Sequence, residues 1–140
     1  MRKYLFHCAT IALTLVSIPA LATEVIDSTG EENFVRYCAA CHGSGGHGDG
    51  PVATVIAKPI PDLTLIAARR DGKFPRQIIK NAIDGRWRID AHGTQQMPVW
   101  GYEFWIGAGA GNFSETRVNQ ILDGLIDYLE SIQGESIQGE

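Results

Sequence analysis

Within five consecutive positions the chain sets out two thiols and an imidazole, in the run Cys38-Ala39-Ala40-Cys41-His42. On a helix, side chains three and four residues apart leave the same face, so all three groups converge. Two thiols on one face can add to the two vinyl groups of a single porphyrin. The neighbouring imidazole then meets the iron as a neutral nitrogen donor. Cys-x-x-Cys-His is the spacing of c-type haem attachment. Two other chemistries compete for the same residues. A redox dithiol would sit beside a βαβ pattern, which is missing here. A structural zinc site needs four ligands, and beyond the N-terminal apolar segment only His47 and His92 are available to complete one.

A haem iron takes a second axial donor, and Met97 is the only methionine besides Met1. A lone Met is usually core filler, but thioether sulfur is a standard partner for His at such an iron. Pro98 stiffens the backbone beside it. Met97 is therefore the expected sixth ligand, with His92 and an open iron as the alternatives. Between the two sites, Gly43 to Pro51 holds five glycines in nine residues, which excludes a helix or regular strand. The expected purpose is close passage of the backbone past the porphyrin edge. A phosphate-cradling loop would need a Gly-Lys-Ser/Thr ending and a preceding strand. His47 reads as an exposed loop residue, and Trp87 with its flanking arginines as either a haem-propionate contact or a surface tryptophan.

The chain has 140 residues, enough for one small domain. Met1-Arg2-Lys3, an apolar run from Tyr4 to Ile18, and Ala20-Leu21-Ala22 read as a cleaved secretory signal peptide over residues 1–22. The alternative, an uncleaved anchor, has an apolar run too short to span a bilayer comfortably. Cys8 leaves with that segment, and the domain is expected over 23–134, with a disordered tail at 135–140. The remaining chain carries ten bases against sixteen acids, a net charge of −6. Residues 58–88 hold eight bases against three acids, and such separated charge either orients the protein toward a partner or reflects unrelated solvated faces. With no basic excess and no aromatic stripe among the bases, nucleic-acid binding is not expected.

The elements that must position these residues are helical. The first is expected from Thr29 to Ala40, capped by Ser28 or Thr29, with Phe34, Val35, Tyr37 and Cys38 facing inward. Residues 52–57 read as a short helical turn and Lys58-Pro59-Ile60-Pro61-Asp62 as an extended corner. Asp62 can cap a short helix over Leu63 to Arg70. Asp71-Gly72-Lys73 reads as a turn. Pro75 suits the first position of a further helix ending near Gly85, with Phe74, Ile78, Ile79, Ala82 and Ile83 on one side. Residues 86–97 read as a loop, and Tyr102 to Trp105 as a helical turn against the haem pocket. Ser114 is the expected cap of the last helix, whose Val118, Ile121, Leu122, Leu125, Ile126, Leu129 and Ile132 recur in steps of three and four. Gly124 inside it costs about 1 kcal/mol against Ala, which a close helix crossing would explain. The tandem Glu-Ser-Ile-Gln-Gly at 130–134 and 135–139 is too short to be an architectural repeat.

With these residues in view, the sequence from about Gly30 to Ile132 resembles the class I c-type cytochromes, specifically the bacterial single-haem periplasmic members. Gly30, Phe34 and Cys38 match the family's first-helix pattern, and Leu125 with Tyr128 its last-helix pair. The resemblance implies an all-α fold whose N- and C-terminal helices cross near a right angle around one covalent haem c. It implies that the carbonyl of Pro51, in the Gly-Asp-Gly-Pro stretch, accepts a hydrogen bond from the proximal His42, and that Met97-Pro98 is the distal-ligand motif. The 107–111 Gly/Ala loop and the repeated tail depart from the pattern. The implied function is one-electron transfer by a monomeric periplasmic carrier, exchanging electrons with a redox donor and acceptor and catalysing no reaction itself. The rivals are a haem subunit of a larger dehydrogenase or oxidase, and a small haem enzyme or gas sensor with a labile distal ligand. Intact-mass measurement of the exported protein should show the chain from about Thr23 plus one covalent haem; a mass accounted for by amino acids alone, from a host able to mature such proteins, contradicts the attachment motif.

Overall fold

A computed structural model describes residues 29–86 and 97–134. The signal-peptide, tail, Trp87, Arg88 and His92 expectations lie outside the described residues. Among the described residues there are five α-helices, three short 3-10 turns and no strand: α1 Gly30–Tyr37, α2 Ala39–His42, α3 Arg76–Asp84, α4 Trp100–Gly107 and α5 Ser114–Ser131.

Helix α1 begins with a capping box. The Glu32 backbone N–H donates to Thr29 Oγ1 (3.2 Å), and the Thr29 N–H donates to Glu32 Oε2 (2.8 Å). The expected helix through Ala40 is instead broken at Cys38, which caps α1 and starts the one-turn α2. Phe34 faces inward at 1% exposure, but Val35 is 53% exposed, because the inward stripe follows steps of three and four rather than adjacent positions.

Helix α5 is the hub. Val118, Leu122, Leu125, Ile126 and Leu129 along one side are buried, and α1, α3 and α4 all pack against it. Where α1 meets it there are no side chains between the backbones. A Cβ on Gly30 would overlap the Gly124 carbonyl oxygen, and one on Gly124 would lie 3.6 Å from Gly30 Cα. Beside this contact the Phe34 and Tyr128 rings sit 5.1 Å apart.

The expected short helix after Asp62 is present as two 3-10 turns, Leu63–Leu65 and Ala68–Arg70. Asp62 Oδ1 accepts from the Thr64 N–H and hydroxyl (2.8 and 2.6 Å). Pro75 stands one position earlier than expected, as the residue before α3, and Gly85 ends that helix in the left-handed region at φ 68°. Ile78 is 62% exposed rather than on the packed side. Ser114 does not cap α5. It lies buried in the first turn, where its hydroxyl accepts from the Gly111 N–H (2.8 Å) and donates to the Ala108 carbonyl (3.3 Å), closing the glycine-alanine loop. The first copy of the repeated pentapeptide is ordered by contact: Gln133 donates to the Leu63 and Leu129 carbonyls and accepts from the Ala67 N–H.

Among the described residues, three of the eight bases in 58–88 meet acids in space. Arg76 pairs with Asp127 and Glu130, Lys80 with Asp123, and Arg86 with Asp84 and Glu115. Four of these five acids belong to α5. For Arg76 and Lys80, and for Arg86 just after α3, the charge read along the sequence is thus part of a bond to α5.

Gly30→Ala should destabilise the fold by about 1–3 kcal/mol, since a Cβ there meets backbone that cannot move aside. Gly107→Ala meets open space within a helix and should be neutral or stabilising by up to about 1 kcal/mol; denaturant midpoints of the two variants check the contrast.

Candidate functional site

Helix α1 delivers Cys38 at its C-terminal end, and the α2 turn places Cys41 and His42 directly after it. The Cys41 and His42 N–H groups both donate to the Cys38 carbonyl (3.1 and 2.9 Å). The following loop then folds back on this turn: the Gly48, Gly50 and Val52 N–H groups donate to the carbonyls of His42, Cys41 and Ala40. The glycines answer to this chain-on-chain approach. Gly48, at φ 81°, would overlap the Ile60 carbonyl if it carried a Cβ, and a Cβ on Gly50 would press on the carbonyls of Ala39 and Ala40.

Both cysteines are free thiols, half buried. Burial, with a smaller contribution from the neighbouring Cys41, pushes the Cys38 thiol up to about 12, so it stays protonated at neutral pH. Among the described residues no three His, Cys, Asp or Glu side chains converge, so the donor set of a structural zinc site is not assembled there.

His42 carries the correction to the sequence reading. Its Nδ1 faces the Pro61 carbonyl oxygen at 3.4 Å. Pro51 is not its partner; it sits exposed in the turn that follows the glycine loop. The reason is topological. The loop spends residues 43–52 covering the backbone of the α2 turn, and the chain returns beside the imidazole only at the extended 58–62 corner. A carbonyl can only accept, so the contact calls for Nδ1–H and leaves the lone pair on Nε2. Burial lowers the His42 pKa and the Pro61 contact partly opposes this. The imidazole is thereby held neutral, the form a metal accepts.

Pro61 is itself held from two sides. Asp62 caps the turn after it, and the Thr64 hydroxyl keeps the Asp62 carboxyl below its usual range. The Leu63 N–H donates to the Gly46 carbonyl (2.7 Å), and Gln133 reaches the Leu63 carbonyl from the end of α5. His47 is exposed as expected, its Nδ1 3.5 Å from Asp62.

Two apolar chambers border these groups, of about 270 and 190 Å³. Cys38, His42, Pro61 and Met97 line both, and Cys41 lines the larger. The sequence-predicted residues Cys38, Cys41, His42 and Met97 are therefore brought together, and Pro51 is not among them. The larger chamber opens past Ile56, Lys58, Pro59 and Ile60, while the smaller reaches into the core at Phe34, Leu125 and Leu129.

One wall was not foreseen. Tyr37, Trp100 and Phe104 form an aromatic cluster with ring centroids 5.2–5.6 Å apart, and Tyr37 and Trp100 line the larger chamber. The expected helical turn over Tyr102 to Trp105 is present within α4 and backs this wall through the buried Phe104, while Tyr102 itself is 52% exposed. Helix α4 is apolar on nearly every side, so its pattern could not say which side faces the chamber.

The family model described as cytochrome c oxidase, cbb3-type, subunit III matches residues 27–106, a stretch that contains Cys38 to His42, Pro61 and Met97. No curated protein and no solved structure matches the chain.

Gly48→Ala forces the Ile60–Pro61 backbone away from the glycine loop and imposes a left-handed conformation on a residue with a Cβ. It should lower stability by about 2–4 kcal/mol, readable as a drop in thermal midpoint. Pro51→Ala, at an exposed turn position, should change it by less than about 1 kcal/mol.

Proposed function

The chain belongs to the family of cytochrome c oxidase, cbb3-type, subunit III, a class I c-type cytochrome family, and from that membership we propose that it is a periplasmic one-electron carrier. Its cofactor is a covalently bound haem c, and Cys38 and Cys41 stand at the attachment position of the Cys-x-x-Cys-His run. When bound, haem c supplies a ferric/ferrous couple that exchanges single electrons.

The residues present suit that group. Cys38 and Cys41 are reduced and border an apolar chamber, where their thiols can hold a porphyrin by thioether bonds. His42 offers Nε2 as the proximal donor while the Pro61 carbonyl orients the ring and raises its basicity. Met97 offers a thioether as the distal donor. Two neutral donors among apolar walls disfavour the more highly charged ferric state and so raise the potential. The chamber that would hold the group is lined by residues of α1, α2, α4 and the 58–62 corner together with Met97 and Pro98. Support comes from one observation: Cys38, His42 and Met97 border the same chambers. With both axial donors supplied by the chain, no position is left for a substrate, which favours a carrier over an enzyme or gas sensor.

Residues 1–22 would direct export. Among the described residues no helix is long and apolar enough to cross a membrane. A second reading, favoured by the matched family's description, makes the chain a haem subunit of an oxidase complex. Copurification with partner subunits that persists at low salt and is lost as salt rises favours it.

Met97→Ala should retain covalent haem, lose the weak red-edge absorption band that marks sulfur ligation of ferric iron, bind carbon monoxide rapidly when reduced, and fall in potential. An unchanged spectrum removes Met97 from the site.

A further inference from the structure

We propose that Arg86 is a positioning residue for Met97, acting through an ion-pair clasp with Asp84 and Glu115 on which the first turn of α4, four residues after Met97, is seated. This rests on the reading of Met97 as an iron donor.

Arg86 and Gly101 bracket the segment carrying Met97, with Met97 four positions before Gly101. Arg86 grips Asp84 with both arms of its guanidinium, Nε to Oδ1 at 2.6 Å and an Nη to Oδ2 at 3.1 Å, and its other Nη reaches Glu115 Oε1 at 2.7 Å. The forked geometry fixes orientation as well as charge. The pair is largely buried: side-chain exposures are 19% for Arg86 and 11% for Asp84. Gly101, also buried, lies directly on it. A Cβ there would overlap the Asp84 carboxylate and come within 2.6 Å of Arg86 Nε. Thus the first turn of α4, the end of α3 and the first turn of α5 meet at one guanidinium.

The consequence for Met97 is mechanical. Asp84 and Arg86 form the surface on which Gly101 rests, so they set where the first turn of α4, and Met97 just before it, can sit. Without Arg86 the Asp84 carboxylate is left buried and unpaired against α4, an arrangement relieved by moving α4 outward. Met97 moves with that turn, and the fraction of molecules with the sulfur withdrawn rises.

Imidazole, titrated into the haem-loaded ferric full chain, reads this fraction. It binds only where Met97 has withdrawn, so its observed affinity scales with the open population. Arg86→Gln should raise that affinity about tenfold while leaving haem attachment intact. Arg76→Gln is the control. It breaks ion pairs between α3 and α5 that involve neither Asp84 nor Glu115, and should stay within about twofold of the parent. Equal increases in the two variants, or none in Arg86→Gln, overturn the clasp. Should Arg86→Gln fail to mature, Glu115→Gln removes only the exposed arm and should raise the affinity about threefold; no rise overturns the proposal. Met97→Ala separates the two layers. If it leaves imidazole affinity unchanged, the ligand reading falls and the clasp with it. If it raises affinity and Arg86→Gln does not, the clasp alone falls.

Discussion

The contact of Gly30 with Gly124 is the constraint from which the site follows. Two backbones touch without side chains between them, so α1 has one permitted seat on α5. Phe34 then falls against Tyr128, and Cys38 arrives where α1 ends. A Cβ at Gly30 would shift the whole helix, and with it the two thiols and the imidazole at its far end. The conformational cost of Gly124 inside a long helix is offset by this approach.

Helix α5 also sets the other side of the site, although none of its residues is a candidate ligand. Through Gln133 and the Gly134 N–H it holds the 63–67 turn, and thereby the Pro61 carbonyl beside His42. Through Glu115 it holds Arg86, and thereby the root of the segment that ends in Met97. One helix positions the residues that flank both axial candidates. Three of the bases, Arg76 and Lys80 on α3 and Arg86 just after it, meet acids of α5 in space.

The chemistry expected of such a site is modest, and the structure provides for it accordingly. The group to be held exchanges electrons without rearranging bonds, so the protein's work is to keep donors neutral, exclude water and prevent motion. Burial depresses the His42 pKa and raises that of Cys38, and apolar side chains supply most of the chamber walls. An aromatic cluster of Tyr37, Trp100 and Phe104, with Trp100 and Phe104 stacked and Tyr37 turned edge-on to Phe104, fills the side where α4 meets α1.

What the sequence determined by itself is what depends on neighbours within a few positions. The Cys38–His42 motif, a cap at the start of α1, the Asp62 cap, a helix stop at Gly85 and the apolar stripe of α5 are all local patterns, and each reads off the chain directly. Met97 was legible by elimination, as the one thioether beyond the first residue. The tertiary structure decided the rest: Pro61 rather than Pro51 at His42, Trp100 lining the chamber, Ser114 tying a loop instead of capping a helix, and Arg86 reaching Glu115. Each of these pairs a residue with a partner whose proximity depends on how the chain returns in space. A carbonyl, an apolar ring or a guanidinium has many equally suitable partners along the sequence, and only packing around α5 selects among them.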